Sequence, residues 1–317
     1  MAPFFMEPAS PAGLFARMTI VSLRSFIPSA TGEEDLHRSL AWWNHRRLAP
    51  TAPSPRWREE MADDYQMRLV EAQWLEELRR EVAERAARAP SDPDGFIAWF
   101  EALREDGPGQ GDPLFPWLGE EASLGEMRWF LRQEAAGEAG FEDLVALTQV
   151  KLPTASKLEL ARNYWDEMGR GSEGGMHGPM LERTVRGLEL NPSIEETIWQ
   201  SLALANTMTG LATNRAWAFH SLGALGVVEL TAPGRVAQVA AGLKRLDVEA
   251  PLRKYFQLHA VLDIEHSKQW NEQAFRPLVA ERPQTARLIA EGALMRLACG
   301  ARCFEAYRAA LWSPARK

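Results

Sequence analysis

The segment YFQLHAVLDIEHSKQW, Tyr255–Trp270, carries two histidines and an aspartate within eight residues. Neither glycine nor proline occurs from Leu252 to Phe275, so we predict a continuous helix there. At about 100° per residue, Asp263 lies roughly 40° from His259 around the helix axis, and His266 lies about 20° away on the other side. Two imidazoles and a carboxylate therefore project from one face of the helix.

The same helix is rich in large apolar residues, so we expect it to be buried; they are Phe256, Leu258, Val261, Leu262 and Ile264. Three titratable groups on a buried helix are costly unless something compensates them. A metal ion is the simplest compensation, and two imidazoles with a carboxylate suit iron, zinc or manganese. The alternatives are a structural His–Asp–His hydrogen-bond network and a hydrated helix face. These residues alone leave the choice open.

The composition excludes several classes of protein. The 317-residue chain is 46% hydrophobic and 25% charged, as is usual for a globular protein, and its net charge is -7. A negative chain lacks the basic footprint of a sequence-independent nucleic-acid binder. It has no apolar run of membrane-spanning length, and the pattern of its first residues leads us to expect no signal peptide. Cys299 and Cys303, spaced i and i+4, do not suggest a disulfide framework, so we expect a reducing cytoplasm.

The pattern along the chain is helical almost throughout, and period-2 runs typical of strands are absent. We predict an N-terminal extension over residues 1–107, with an irregular start and then helices packed on the core or on a partner. An all-α domain follows over residues 108–317. Within it we predict one long helix over 123–151, a helix from Pro192 to about Leu230, and a break at Pro233 before a short helix to Leu246.

Other acidic and imidazole side chains offer further metal ligands. Glu167 ends one predicted helix and His177 begins the next after a glycine-rich turn, so the corner between them can bring both to one point. Glu229 follows an apolar run and would be awkwardly placed without a partner. Glu134 lies in a predicted helix among small residues, and Glu138 and Glu142 compete with it for the same role. We assign surface or packing roles to the remaining histidines, His37, His45 and His220.

These pieces, taken in order, resemble the haem-oxygenase-like diiron oxidases and oxygenases. The set is Glu134, then Glu167-x9-His177, then Glu229, then His259-x3-Asp263-x2-His266, and the fragment NYWDEMGRG at residues 163–171 is similar to a segment common in that group. The resemblance covers about residues 123–275. It implies a haem-oxygenase-like seven-helix bundle, extended here by the N-terminal helices.

The resemblance also implies a metal site and an activity. Two iron ions without haem would be held by Glu134, Glu167, His177, His259, Asp263 and His266, with Glu229 binding or bridging one iron. O2 would be the co-substrate. The ligand set has one imidazole more than the carboxylate-rich pattern of ferritins. In this it resembles the enzymes that N-oxygenate a small amine or an amino-acid-derived substrate in natural-product biosynthesis. Oxidative C–C cleavage or desaturation at the same site is the alternative, and a non-enzymatic helical interaction protein is a third hypothesis.

The sequence also suggests which partners to expect. We expect a small-molecule substrate and an external electron donor, and neither nucleic acid nor a membrane. Arg132, Arg162 and Lys254 are candidates to hold a substrate carboxylate, and the N-terminal helices would serve as a dimerisation layer in a homodimer.

Overall fold

The structure, a computed structural model, describes residues 32–137 and 140–313. All of its regular elements in these ranges are helical, which confirms the predicted all-α class. One isolated antiparallel bridge joins Met168 to Met176. The irregular start predicted for the first residues lies outside the described residues.

Three helices precede the region of the predicted core: α1 (Glu33–Leu48), α2 (Trp57–Ala86) and α3 (Pro93–Asp106). The remaining helices are α4 (Leu114–Glu120), α5 (Leu124–Gly137), α6 (Phe141–Thr148), α7 (Thr154–Glu167), α8 (His177–Gly187), α9 (Trp199–Thr213), α10 (Ala218–Arg245), α11 (Ala250–Gln269), α12 (Arg276–Glu281) and α13 (Thr285–Leu311). A single turn of π-helix, Trp270–Phe275, joins α11 to α12.

The N-terminal helices pack on the rest of the chain. α1 lies along α9, and α2 contacts α9 and α13. Buried polar contacts hold them there, because Trp74 Nε1 donates to Thr207 Oγ1 at 2.9 Å and Asn44 Nδ2 donates to Asn206 Oδ1 at 2.9 Å. The helices are thus placed on the core of the same chain, whereas the domain boundary at residue 107 and the homodimer stay predictions.

α10 and α13 cross at the centre of the core, and two glycines allow the crossing. A Cβ on Gly292 would lie 1.9 Å from the His220 carbonyl oxygen, and one on Gly223 would lie 2.0 Å from the Ile289 carbonyl oxygen. Only a residue without a side chain fits at either position. This close approach fixes α10, which carries Glu229 into the core.

Three predicted helix boundaries are wrong. The helix predicted over 123–151 is divided into α5 and α6, and Gly140 adopts a left-handed conformation (φ 69°) between them. The helix predicted from Pro192 begins only at Trp199 and ends at Thr213. α10 continues through Pro233 to Arg245, so the predicted break there is also wrong. Tertiary packing of α10 outweighs the lost backbone hydrogen bond at the proline.

The expectation that the apolar residues bury α11 is also wrong for part of the helix. Val261 is 71% exposed and Ile264 is 47% exposed, whereas His259, Asp263 and His266 are buried. The helix therefore turns its polar stripe toward the core and leaves part of its apolar surface to solvent. Burying titratable groups in this way needs a compensating partner.

No helix in the described ranges combines the length and the apolar character that crossing a membrane requires.

Candidate metal centre

Two groups of buried side chains bring their ligand atoms together in the core. One consists of Glu167, His177 and His259, and the other of Glu167, Glu229 and His266. Within each group, one ligand atom of every residue lies within 4.8 Å of the others. Glu167 belongs to both groups, so the two sites are adjacent and share a carboxylate. Five of the seven predicted ligands are brought together in this way.

A glycine turn makes the corner between Glu167 and His177. α7 ends at Glu167, and the chain turns through Gly169, which has a φ of 60°. A Cβ on Gly169 would lie 2.3 Å from the carbonyl carbon of Gly175, so no other residue fits. α8 then begins at His177, whose Nδ1 lies 2.6 Å from Glu167 Oε2. The predicted convergence of these two side chains is therefore present.

Backbone and side-chain contacts orient the histidines of α11. His259 Nδ1 lies 2.7 Å from the Tyr255 carbonyl oxygen, and a carbonyl only accepts, so Nδ1 carries the proton. That tautomer leaves Nε2 with a lone pair for a metal. His266 contacts Asp166 Oδ2 through Nε2 at 3.2 Å, which leaves its Nδ1 facing the second group. Asp166 thus holds the imidazole from outside the group of ligands.

Glu229 lies in the middle of α10, where only a buried partner can satisfy it. Its Oε1 accepts a hydrogen bond from Asn163 Nδ2 on α7 at 2.7 Å. Its Oε2 lies 3.4 Å from His266 Nδ1 on α11. The carboxylate therefore links three helices, and the second oxygen is directed at the shared site.

Burial and mutual charge displace the pKa values of the group. Burial, followed by the charge of Glu229, raises the pKa of Glu167 to about 9. Burial, followed by His177, lowers the pKa of His259 to about 4. Burial also opposes a charge on His266, but its contacts with Glu229 and Asp166 outweigh burial and raise its pKa to about 10. Protons thus neutralise a site that is too rich in carboxylates to stay buried and fully ionised.

Two histidine nitrogens of the site are placed better for binding a metal than for hydrogen bonding to the nearby carboxylates. Nδ1 of His177 and Nδ1 of His266 are buried and make no hydrogen bond among the described residues, although each has a carboxylate oxygen close by. Their distances to the carboxylate oxygens are short, but the geometry is not that of a hydrogen bond, and this is compatible with ligand atoms placed around a metal. Imidazole nitrogens and carboxylate oxygens are ligands that iron accepts. The residues therefore fit an iron site.

The other two predicted ligands line the same cavity but belong to neither group. Asp263 is buried on the same face of α11 as His259 and His266. Glu134 accepts a hydrogen bond from Tyr307 at 2.9 Å. Their assignment as ligands stays a prediction.

Glu138 and Glu142 are the alternatives to Glu134 as a metal ligand, and the structure describes only Glu142. Glu138 lies outside the described residues. Glu142 approaches the start of α8, because a Cβ on Gly178 would lie 2.7 Å from its Oε1. Its charge acts on both Glu167 and His177. Glu142 is therefore closer to the two groups, in electrostatic terms, than Glu134 is.

A cavity of about 720 Å³ opens beside these residues and is lined mainly by apolar side chains. Arg235 and Arg296 also line it, and sequence reasoning missed both. Arg235 follows Pro233 and Gly234, which were interpreted as a helix break, so nothing in the local pattern pointed to the core. Arg132, Arg162 and Lys254, the predicted carboxylate-binding residues, are not among the residues that line the cavity.

A comparison with protein families agrees with this site. The family model described as an iron-containing redox enzyme, of haem-oxygenase type, matches residues 128–301, a range that contains all seven predicted ligands. The chain is also similar to a solved CADD-like protein of unknown function from Nostoc punctiforme, with 16% sequence identity and a TM-score of 0.48; the match covers 75% of this chain and 99% of that one. A second structure of the CADD-like protein gives 16% identity and a TM-score of 0.45, covering 75% and 96%. A comparison with curated proteins finds no match.

The family match spans α5 to α13 and includes both groups of buried ligand atoms. It confirms the haem-oxygenase-like helical bundle and identifies an oxidoreductase that uses iron. The chain belongs to the family of iron-containing redox enzymes.

Proposed function

We propose that this protein is a non-haem diiron enzyme that uses O2 to oxidise a small organic substrate. One observation carries the proposal: Glu167 belongs to both groups of ligand atoms. A carboxylate has two oxygens and can bind a different metal with each. Two buried ligands on either side of a shared carboxylate suit two adjacent metal ions rather than one.

The proposed ligands are divided between the two ions. His177 and His259 would hold one ion, and Glu229 and His266 the other, with Glu167 between them. Glu134 or Glu142, together with Asp263, would complete the set. When bound, two ferrous ions supply the electron pair that O2 needs in order to react with an organic molecule.

The residues around the ligands prepare the site for these ions. The Tyr255 carbonyl fixes the tautomer of His259, and Asp166 holds the ring of His266. The amide of Asn163 occupies one oxygen of Glu229 and leaves the other for metal. Such outer contacts raise the basicity of the ligands and keep their geometry. The apolar cavity beside them keeps bulk water away from the reacting groups.

Two reactions fit the proposed site. N-oxygenation of a small amine or amino-acid-derived substrate is the hypothesis that the sequence resemblance favours. Oxidative C–C cleavage or desaturation is the alternative, and the mainly apolar lining of the cavity suits a substrate with a hydrocarbon body. Repeated turnover in either case would call on an external electron donor.

Anaerobic reconstitution with Fe(II) tests the proposal. We expect two irons per chain, O2 uptake, and a visible absorption change on exposure to O2 that a true substrate accelerates. The mass of the product separates the reactions, since N-oxygenation adds oxygen, cleavage removes carbon and desaturation removes two hydrogens. A chain that binds no iron, or that binds haem in place of iron, would contradict the proposed function.

A further inference from the structure

Arg235 presents an unsatisfied cationic group to the same cavity. Its Nη2 donates to Thr231 Oγ1 at 2.9 Å, one turn earlier on α10. Its Nη1 is buried and has no hydrogen-bond partner among the described residues. The guanidinium carbon lies 5.3 Å from the ring centre of Phe304 and 5.8 Å from that of Phe115. Aromatic faces stabilise a cation weakly, but they leave its N–H donors unpaired.

Arg235 lies near a second arginine and a carboxylate, and both affect its pKa. Burial and the positive charge of Arg296 lower the pKa of Arg235 to about 9, and Glu134 opposes the shift. One oxygen of Glu134 already accepts from Tyr307. With that oxygen engaged, Nη1 of Arg235 remains a buried donor that no described residue accepts from. A buried cation of this kind is strongly stabilised by an anion that pairs with its free donors.

Arg235 and Glu229 lie on the same helix and line the same cavity. Glu229 and Arg235 are six residues apart on a continuous helix, which corresponds to about 9 Å along its axis. Many of the side chains that line the same cavity are apolar; among them are Phe115, Phe130, Leu204, Val236, Val239 and Phe256. A molecule bound here would meet a cation at one end, hydrocarbon along its body, and the ligand groups at the other end.

We propose that Arg235, with Arg296 beside it, anchors the carboxylate of the substrate, and that the substrate is a carboxylic acid with an apolar body that extends toward Glu167 and Glu229. Nη1 of Arg235 donates to the carboxylate, and the apolar wall binds the chain. The identity of the reacting end rests on the proposed diiron function, whereas the anchor itself requires no metal.

Binding of octanoate and 3-phenylpropionate to the metal-free full-length protein, measured by calorimetry, tests the anchor. We expect wild type to bind at least one of them, and Arg235→Gln to bind it at least tenfold more weakly. Arg235→Lys should show an intermediate loss, because it keeps the charge but not the fork of donors. Octan-1-ol and octylamine should bind wild type at least tenfold more weakly than octanoate.

Arg128→Gln is the matched control. Arg128 lies on α5, pairs with the exposed Glu189 and does not line the cavity, so its variant should bind within twofold of wild type. The thermal midpoint of each variant shows that it is folded. The inference is overturned if neither acid binds wild type, if Arg235→Gln binds as tightly as wild type, or if octan-1-ol binds as well as octanoate.

The same proteins keep this inference separate from the proposed function. If the protein bound carboxylates but neither loaded iron nor took up O2, the proposed diiron function would be refuted and the carboxylate anchor would be supported. If the protein loaded iron and took up O2 but bound no carboxylate, the anchor would be refuted and the diiron function would be supported.

Discussion

The Nδ1 atom of His177 lies 2.6 Å from the Oε2 atom of Glu167, although the two atoms share no hydrogen bond. The contact joins the end of α7 to the start of α8 across a turn of glycines. Two buried polar atoms held this close without the geometry of a hydrogen bond are arranged to bind a third atom.

Glu167→Gln should remove most of the iron, because one carboxylate serves both groups of ligands. We expect the iron content after anaerobic reconstitution to fall to half of the wild-type value or less, measured by metal analysis of the folded protein. A neutral amide of the same shape leaves the packing intact. Glu159→Gln is the control, since Glu159 is equally buried on α7 but is held by Arg162 and belongs to neither group. Equal iron loss in both variants would contradict a shared-carboxylate site.

Glu142→Gln should lower the iron content more than Glu134→Gln does. The charge of Glu142 acts on Glu167 and His177, whereas Glu134 interacts with Tyr307 and Arg235. Removing a ligand lowers metal affinity directly, and removing a distant carboxylate does not. Titration of both variants with Fe(II) under anaerobic conditions measures the difference. The opposite order would assign Glu134 as the ligand, as the sequence resemblance implies.

Gly292→Ala should destabilise the fold strongly. The new Cβ would lie 1.9 Å from the His220 carbonyl oxygen, so α10 and α13 would have to separate. Overpacking of a core typically costs about 1–3 kcal/mol, and we expect a loss at the upper end or beyond.

Gly234→Ala is the matched control for that variant. Gly234 is exposed within α10, and a Cβ there meets no atom within 4 Å. The change should stabilise the protein by up to about 1 kcal/mol through helix propensity. Denaturant unfolding of both variants provides the measurement. If Gly292→Ala behaved like Gly234→Ala, the close crossing of the two helices would be wrong.

His37 should make the stability depend on pH in the acidic range. Its ring is fully buried between Trp74 and Trp199, and burial, followed by the charge of Arg302, lowers its pKa to about 4. Because the folded value lies below the ordinary 6.5, this contribution to stability is complete above pH 6.5 and is lost as the pH falls toward 4. Between pH 7.5 and 5 the loss amounts to about 2 kcal/mol.

Comparison of wild type with His37→Gln isolates this contribution from the titration of all other groups. The stability advantage of wild type over the variant should shrink by the amount given above when unfolding is measured at pH 5 instead of pH 7.5. His45→Gln is the control for the loss of an imidazole from the exposed side of the same helix. A difference between wild type and His37→Gln that stays constant with pH would refute the prediction.

Local patterns predicted the helices of the site well and their interruptions poorly. The period of α11 places His259, Asp263 and His266 on one face whatever the helix packs against, and all three are buried. The break at Gly140 and the passage of α10 through Pro233 depend on packing, which local propensity does not contain. Arg235 was missed for this reason, since its place in the cavity follows from the continuation of α10.

The sequence by itself determined the all-α class and the order of the candidate ligands along the chain. It also determined the polar stripe of Tyr255–Trp270, because helical geometry is set by neighbouring residues. Only the tertiary structure decided that Glu167 serves both groups, that Glu134 contacts Tyr307, and that Val261 rather than the polar stripe faces solvent. Convergence of side chains from α7, α8, α10 and α11 depends on how these helices pack, and packing is a property of the whole core.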